Sequence, residues 1–193
     1  NQNAPNAWGQ ITKLDAPGLL PGDNFGASVA ISGGVVAVGS PLADDQIGNE
    51  GSVSIFYQNT ANPDQWDFVK KITALDADAS DHFGASVALD GDRLLVGANY
   101  DDESGTDAGA AYIFYQNHGG ADQWGQVAKL LATTGNTNDN FGVSVALDGD
   151  YAMIGANGVD GLWQDAGAAY IFGRNQFGQD AWGQISKLRA AQS

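Results

Sequence analysis

The chain has 193 residues, of which 43% are apolar, with 23 acids against 8 bases for a net charge of −15 and no cysteine. This length suits one domain or one piece of a larger one, and the apolar share is that of a globular chain. The charge argues against nucleic acid and anionic membrane surfaces, which call for Lys and Arg, and the missing cysteine removes disulfides, zinc–thiolate sites and thiol catalysis.

No apolar run reaches the roughly 18 residues that a spanning helix needs. The first five residues, Asn1-Gln2-Asn3-Ala4-Pro5, do not read as a signal peptide. The chain is instead organised by a repeat. Trp8, Trp66, Trp124 and Trp182 lie 58 residues apart, as do Lys13, Lys71, Lys129 and Lys187. Phe25-Gly26, Phe83-Gly84 and Phe141-Gly142 keep the same step, as do Gly39, Gly97 and Gly155, and Gly51, Gly109 and Gly167. The register holds without insertion or deletion, and residues 175–193 repeat the phase of 1–19. The predicted units are 1–19, an extra outer strand (Trp8 to Leu14) with its link, then 20–77, 78–135 and 136–193.

The middle unit shows the predicted strands most clearly. Phe83 to Leu89 alternates large and small residues, with Phe83, Ala85, Val87 and Leu89 on one face and Gly84, Ser86 and Ala88 on the other. Both faces are apolar or tiny, so this strand is expected to be covered on both sides. Asp90-Gly91 is a tight hairpin turn, followed by a second strand at Arg93 to Gly97. An acidic loop, Tyr100 to Asp107, leads to a third strand at Ala110 to Tyr115. A polar loop with His118 leads to the fourth at Trp124 to Leu130. Four antiparallel strands of fixed period predict an all-β fold of β-propeller blades, three of them plus one extra outer strand. A parallel β-helix is the runner-up, but it would not show hairpin turns such as Asp90-Gly91 and Asp148-Gly149. The first strand is expected at the central channel. The fourth is expected at the rim, with its Trp against a neighbouring blade and its Lys in water.

The units resemble FG-GAP repeats, the blades of integrin-α-like β-propellers, in the short-turn version of many bacterial extracellular proteins. The residues carrying the resemblance are Phe25-Gly26 with Gly39-Ser40-Pro41, Phe83-Gly84 with Gly97-Ala98-Asn99, and Phe141-Gly142 with Gly155-Ala156-Asn157. The resemblance implies an extracellular, non-enzymatic propeller used in adhesion, assembly or ligand contact. Integrin-type blades often hold calcium in a long Asp-rich loop between their first and second strands. Here those loops are Ser32-Gly33-Gly34, Asp90-Gly91-Asp92 and Asp148-Gly149-Asp150, too short to wrap an ion.

Closed propellers have at least four blades. Three blades imply a segment of a longer array, a unit that pairs with another copy, or an open three-blade unit. The expected partners are further copies or further blades of the same array, with a protein or glycan ligand in addition.

In a meander the second-to-third turns and the interblade links share one end. That end collects 15 of the 23 acids, so one face is expected to be acidic. Asp101, Asp102 and Glu103 with Asp107 form the densest cluster, and Asp76-x-Asp78-x-Ser80-Asp81 is placed beside it. Such alternating oxygens suit calcium, the candidate cofactor, which takes six to eight hard oxygen ligands. Solubility and turn chemistry account for the same acids. Asp44, Asp102 and Asp160 recur in phase, which fits a structural loop role at least as well as a site.

Catalysis finds little support. His82 and His118 stand at different phases, opposite Asn and opposite Thr or Gln, and no nucleophile-elbow, metalloprotease or phosphate-loop motif occurs. The rival to assembly is carbohydrate binding, in which Trp163 with Asp160 and Asp165, and Tyr100 in the preceding unit, stack on and hydrogen-bond a sugar. A local hydrophobic plug between blades is the plainer role for Trp163.

Overall fold

The structure is a computed structural model that describes residues 9–44, 48–161 and 163–190. Twelve strands and no helix are found among them. Blade 1 is β1 (Ser28–Ser32), β2 (Val35–Ser40), β3 (Ser52–Gln58) and β4 (Trp66–Ile72). Blade 2 is β5 (Ser86–Asp90), β6 (Arg93–Ala98), β7 (Ala110–Tyr115) and β8 (Gly125–Leu130). Blade 3 is β9 (Phe141–Asp148), β10 (Tyr151–Ala156), β11 (Ala168–Gly173) and β12 (Gly183–Leu188). Each is a separate antiparallel sheet with its strands in chain order. The β1–β2 hairpin turns through Gly33 and Gly34, both at positive φ, a conformation that glycine adopts without a Cβ penalty.

The blades stand side by side. Strand β5 packs against β1 and β2, and β9 packs against β5 and β6, so the three first strands line up as the inner edge of the array. Two apolar clusters fill the two joints. Ala37, Val53, Ile55 and Ile72 of blade 1 meet Phe83, Leu94, Val96, Tyr112 and Trp124 of blade 2. Leu95, Ala111, Ile113 and Leu130 of blade 2 meet Phe141, Ala152, Ile154, Tyr170 and Trp182 of blade 3. Trp124 and Trp182, of the fourth-strand phase, therefore lean on the preceding blade, a neighbouring-blade contact of the kind the sequence predicts. There each indole donates to a Tyr hydroxyl: Trp124 Nε1 to Tyr57 Oη at 2.9 Å and Trp182 Nε1 to Tyr115 Oη at 3.2 Å.

Three details differ from the sequence reading. The first strand of blade 2 starts at Ser86 and leaves out Phe83, with Gly84 between them at φ +90°. Phe83 is spent on the interblade contact instead, bridging to Gly51 and burying completely. Second, each fourth strand carries a bulge opposite Ile55/Phe56, Ile113/Phe114 and Ile171/Phe172. The extra residues are Val69, Val127 and Ile185; Val69 and Val127 pack into the joint with the next blade. Third, the expected outer strand from Trp8 to Leu14 joins none of the three sheets: residues 9–14 are in no strand, and Trp8 lies outside the described residues. A strand of that phase pairs with a third strand, and β3, β7 and β11 are already paired with β4, β8 and β12.

Candidate functional site

Two regions answer to the sequence-predicted sites, an acidic cleft of about 520 Å³ beside blade 2 and the loops around Trp163. The cleft is lined by Asp76, Asp78, Asp81, Asp101, Asp102, Glu103 and Lys129. The fold thus brings the link from blade 1 and the second-to-third loop of blade 2 together, as the meander argument requires.

Among these acids stands a lysine, which the sequence reading placed on the rim in water. Lys129 Nζ lies 2.7 Å from Asp76 Oδ2, 2.8 Å from Asp101 Oδ2 and 2.6 Å from Glu103 Oε2. Asp101 is the buried anchor, at 3% exposure; Tyr112 Oη donates to its Oδ2 at 2.8 Å and the Glu103 N–H to its Oδ1 at 3.1 Å. Burial pulls the Lys129 pKa down, but the bonds to Asp101, Asp76 and Glu103 outweigh it and raise the pKa above the ordinary lysine value. Burial, followed by the Asp101 charge, pushes the Tyr112 hydroxyl up. Asp81 is raised to about 6, chiefly by burial, against the pull of the Asp78 backbone N–H and with the Asp101 and Asp78 charges adding. The cleft is thus a closed ion-pair node whose cation is a side chain. Among the described residues no group of three or more His, Asp or Glu is arranged to hold a metal ion.

The remaining acids brace loops. Asp107 N–H donates to Asp102 Oδ1 at 2.7 Å, Asp165 N–H to Asp160 Oδ1 at 3.0 Å, and Asn49 N–H to Asp44 Oδ1. The three donors, Asn49, Asp107 and Asp165, all sit at positive φ. The recurring Asp therefore pins the positive-φ residue five positions on, so the Asp102 and Asp160 carboxylates brace their loops while Asp107 and Asp165 take part through their backbone N–H. A second recurring series, Asp23, Asp81 and Asp139, escaped the sequence reading. All three are buried and accept the N–H of the residue three before, Leu20, Asp78 and Asn136. The step of 58 was the signal that could have found them.

The aromatic pair is not assembled into one site. Tyr100 packs edge-on to His82, with ring centroids 4.7 Å apart. Trp163 exposes 79% of its surface on the blade 3 loop, so it does not act as a plug between blades.

The sheet faces at the two ends of the array form a further candidate surface. Ala37, Ile55 and Ile72 on blade 1, and Leu95, Ile113 and Leu130 on blade 2, are buried by the following blade. Their blade 3 counterparts are Met153, Ile171 and Leu188, and here Met153 is 44% and Leu188 47% exposed. Met153 and Ile171, with Tyr151 and Ile185, border an apolar groove of about 410 Å³. At the opposite end, Val29 and Ile31 of blade 1 are each 68% exposed, while their counterparts Val87 and Leu89 pack against blade 1.

Residues 8–56, 66–114 and 124–172 each match the model of the FG-GAP repeat. The matched unit begins at the fourth-strand phase and ends in the third strand of the next blade, so it straddles each joint. No curated protein matches the chain. FG-GAP repeats are typical of extracellular or surface proteins and their propellers are generally non-enzymatic. No helix among the described residues is long and apolar enough to cross a membrane.

Proposed function

This chain belongs to the FG-GAP repeat family, and from that premise we propose that it works as a non-enzymatic extracellular module whose task is assembly and adhesion through its blade faces. The observation that carries this is the end face of blade 3. It repeats a surface that is buried twice within the same molecule, yet its own Met153 and Leu188 are about half exposed. Exposed apolar patches of this kind mark interaction surfaces. The occupant that this phase calls for is another blade, because a following blade covers it at both internal joints. The acidic end adds a second contact surface, suited to cationic partners and weakened by salt.

The test appends a copy of residues 78–135 after Ser193. A fourth blade on the blade 3 face is expected to raise the thermal midpoint by several degrees and to reduce binding of an apolar dye. An unchanged midpoint and undiminished dye binding would reject the assembly reading.

A second reading rests on Trp163, whose exposed indole stands in one loop with two carboxylates. Exposed aromatic faces stack on sugars. On this reading a glycan array gives a signal that Trp163→Ala abolishes; a blank array for the parent chain would dispose of it.

A further inference from the structure

We infer that a cleft at the joint between blades 1 and 2 binds a guanidinium group, of the kind that an arginine side chain carries. The cleft, of about 440 Å³, is bordered by Ser32, Gly34, Val35, Tyr57, Gly91 and Gln116. These belong to the hairpin turns and strand ends opposite the acid-rich end. The cleft lies inside the array, between two described blades, so nothing about it depends on what covers the end faces.

The joint between blades 2 and 3 shows what such a cleft holds. There Arg93, the first residue of β6, reaches across to blade 3. Its guanidinium carbon lies 5.8 Å from the centroid of the Tyr115 ring. Its Nη1 donates to the Gly149 carbonyl at 2.5 Å and stands 3.5 Å from Asp150 Oδ1. Arg174 closes the other side, with Nη2 2.6 Å from Asp150 Oδ1 and Nη1 3.2 Å from Asp180 Oδ1. A ring face, a carbonyl and a carboxylate thus receive one guanidinium, by cation–π attraction and by charge-assisted hydrogen bonding. At this joint the chain supplies its own occupant.

One step of 58 earlier the receptor is repeated and the occupant is not. Tyr57, Gly91 and Asp92 stand at the phases of Tyr115, Gly149 and Asp150. Tyr57 is only partly buried, and its hydroxyl is fixed from three sides. It accepts from Trp124 Nε1 and Gln116 Nε2, each at 2.9 Å, and donates to Asp122 Oδ1 at 2.7 Å. Gln116 Nε2 also donates to Asp122 Oδ1 at 2.7 Å, the place that Arg174 takes beside Asp180. The residue in phase with Arg93 is Val35, and the one in phase with Arg174 is Gln116. This joint therefore lacks both cations and keeps both carboxylates, Asp92 and Asp122. Asp92 is largely exposed and lies 3.7 Å from Arg93 Nε, beyond hydrogen-bond distance. No residue bordering the cleft is a lysine or an arginine. A planar group that lies on the Tyr57 ring while donating sideways to the Gly91 carbonyl fits this receptor. A compact, strongly hydrated ammonium does not, so the site is expected to prefer arginine to lysine.

Titration of the 193-residue chain with argininamide at fixed ionic strength, followed by amide chemical shifts, tests this. Saturable shifts are expected at Gly34, Gly91 and the Gln116 side-chain amide, and lysinamide should bind about tenfold more weakly. Val35→Arg supplies the occupant from within and should abolish the response. Asp92→Asn, at an exposed position, should weaken it several-fold, and it keeps the test decisive if the first variant does not fold. A capped Ala-Arg-Ala peptide that binds as well as argininamide assigns the site to an arginine side chain of a protein partner. A peptide that fails where methylguanidinium succeeds assigns it to a small free guanidinium compound. Equal binding of lysinamide, shifts spread over the acidic end instead of the cleft, or undiminished binding in the variants would overturn the inference.

Discussion

Lys129 and Lys187 occupy the same phase on neighbouring blades, one above Tyr112 and the other above Tyr170, 5.3 and 4.8 Å from the ring centroids. Their electrostatic surroundings are opposite. Around Lys129 stand Asp76, Asp101 and Glu103; the same phases around Lys187 hold Thr134, Val159 and Gly161. Lys129 is pushed above the ordinary lysine pKa, while burial and the charge of Arg189 pull Lys187 below it against the opposing Asp139. One backbone thus carries either an ion-pair node anchored on one buried carboxylate or a lysine held by a ring face and a Thr134 hydroxyl at 3.3 Å. The repeat supplies the position, and a few loop residues decide its chemistry.

Removing the lysine separates the two environments most sharply. Lys129→Met leaves the Asp101 carboxylate buried without its cation, a defect that costs about 3 kcal/mol or more. Lys187→Met gives up a partly exposed cation–π contact worth about 0.5–1 kcal/mol. Urea unfolding of both variants measures the gap; equal losses would show that the acid node stabilises nothing.

A smaller effect is expected from Asp81, at the edge of the same cleft. Its native pKa is about 6 against a reference of 3.8, so between these values the folded state binds more protons than the unfolded one. Its contribution to stability therefore falls as pH rises through that window and is level above it. Asp81→Asn should flatten this slope and leave the variant relatively more stable at neutral pH. Urea midpoints on both sides of the window check the sign, and a variant that loses stability at neutral pH would contradict it.

Much of this was legible in the chain, for identifiable reasons. The third strand of blade 2 stands at the predicted Ala110–Tyr115, because a run of apolar and aromatic residues between turns has no other low-energy form. The acidic end was legible because the connectivity of a meander dictates which loops share it. The lysine node was not: Asp76, Asp101 and Lys129 lie on a link, a loop and a rim strand, and only packing brings their charges within 3 Å. The acid pattern located this cluster but carried no sign of which base the fold delivers among them. The bulges at Val69, Val127 and Ile185 were hidden as well, since one extra residue in a strand leaves the apolar pattern nearly intact.

The amino-acid order alone settled the period, the number of blades and the antiparallel hairpins. These depend on local turn chemistry and on side-chain alternation, which act over a few residues. Tertiary structure decided where the charges meet and which faces are left uncovered. Ion pairing and burial depend on neighbours some 50 residues distant, such as Lys129 and Asp76. The same side-chain phase that vanishes into a joint at Leu130 lies open at Leu188, because one has a blade beside it and the other does not.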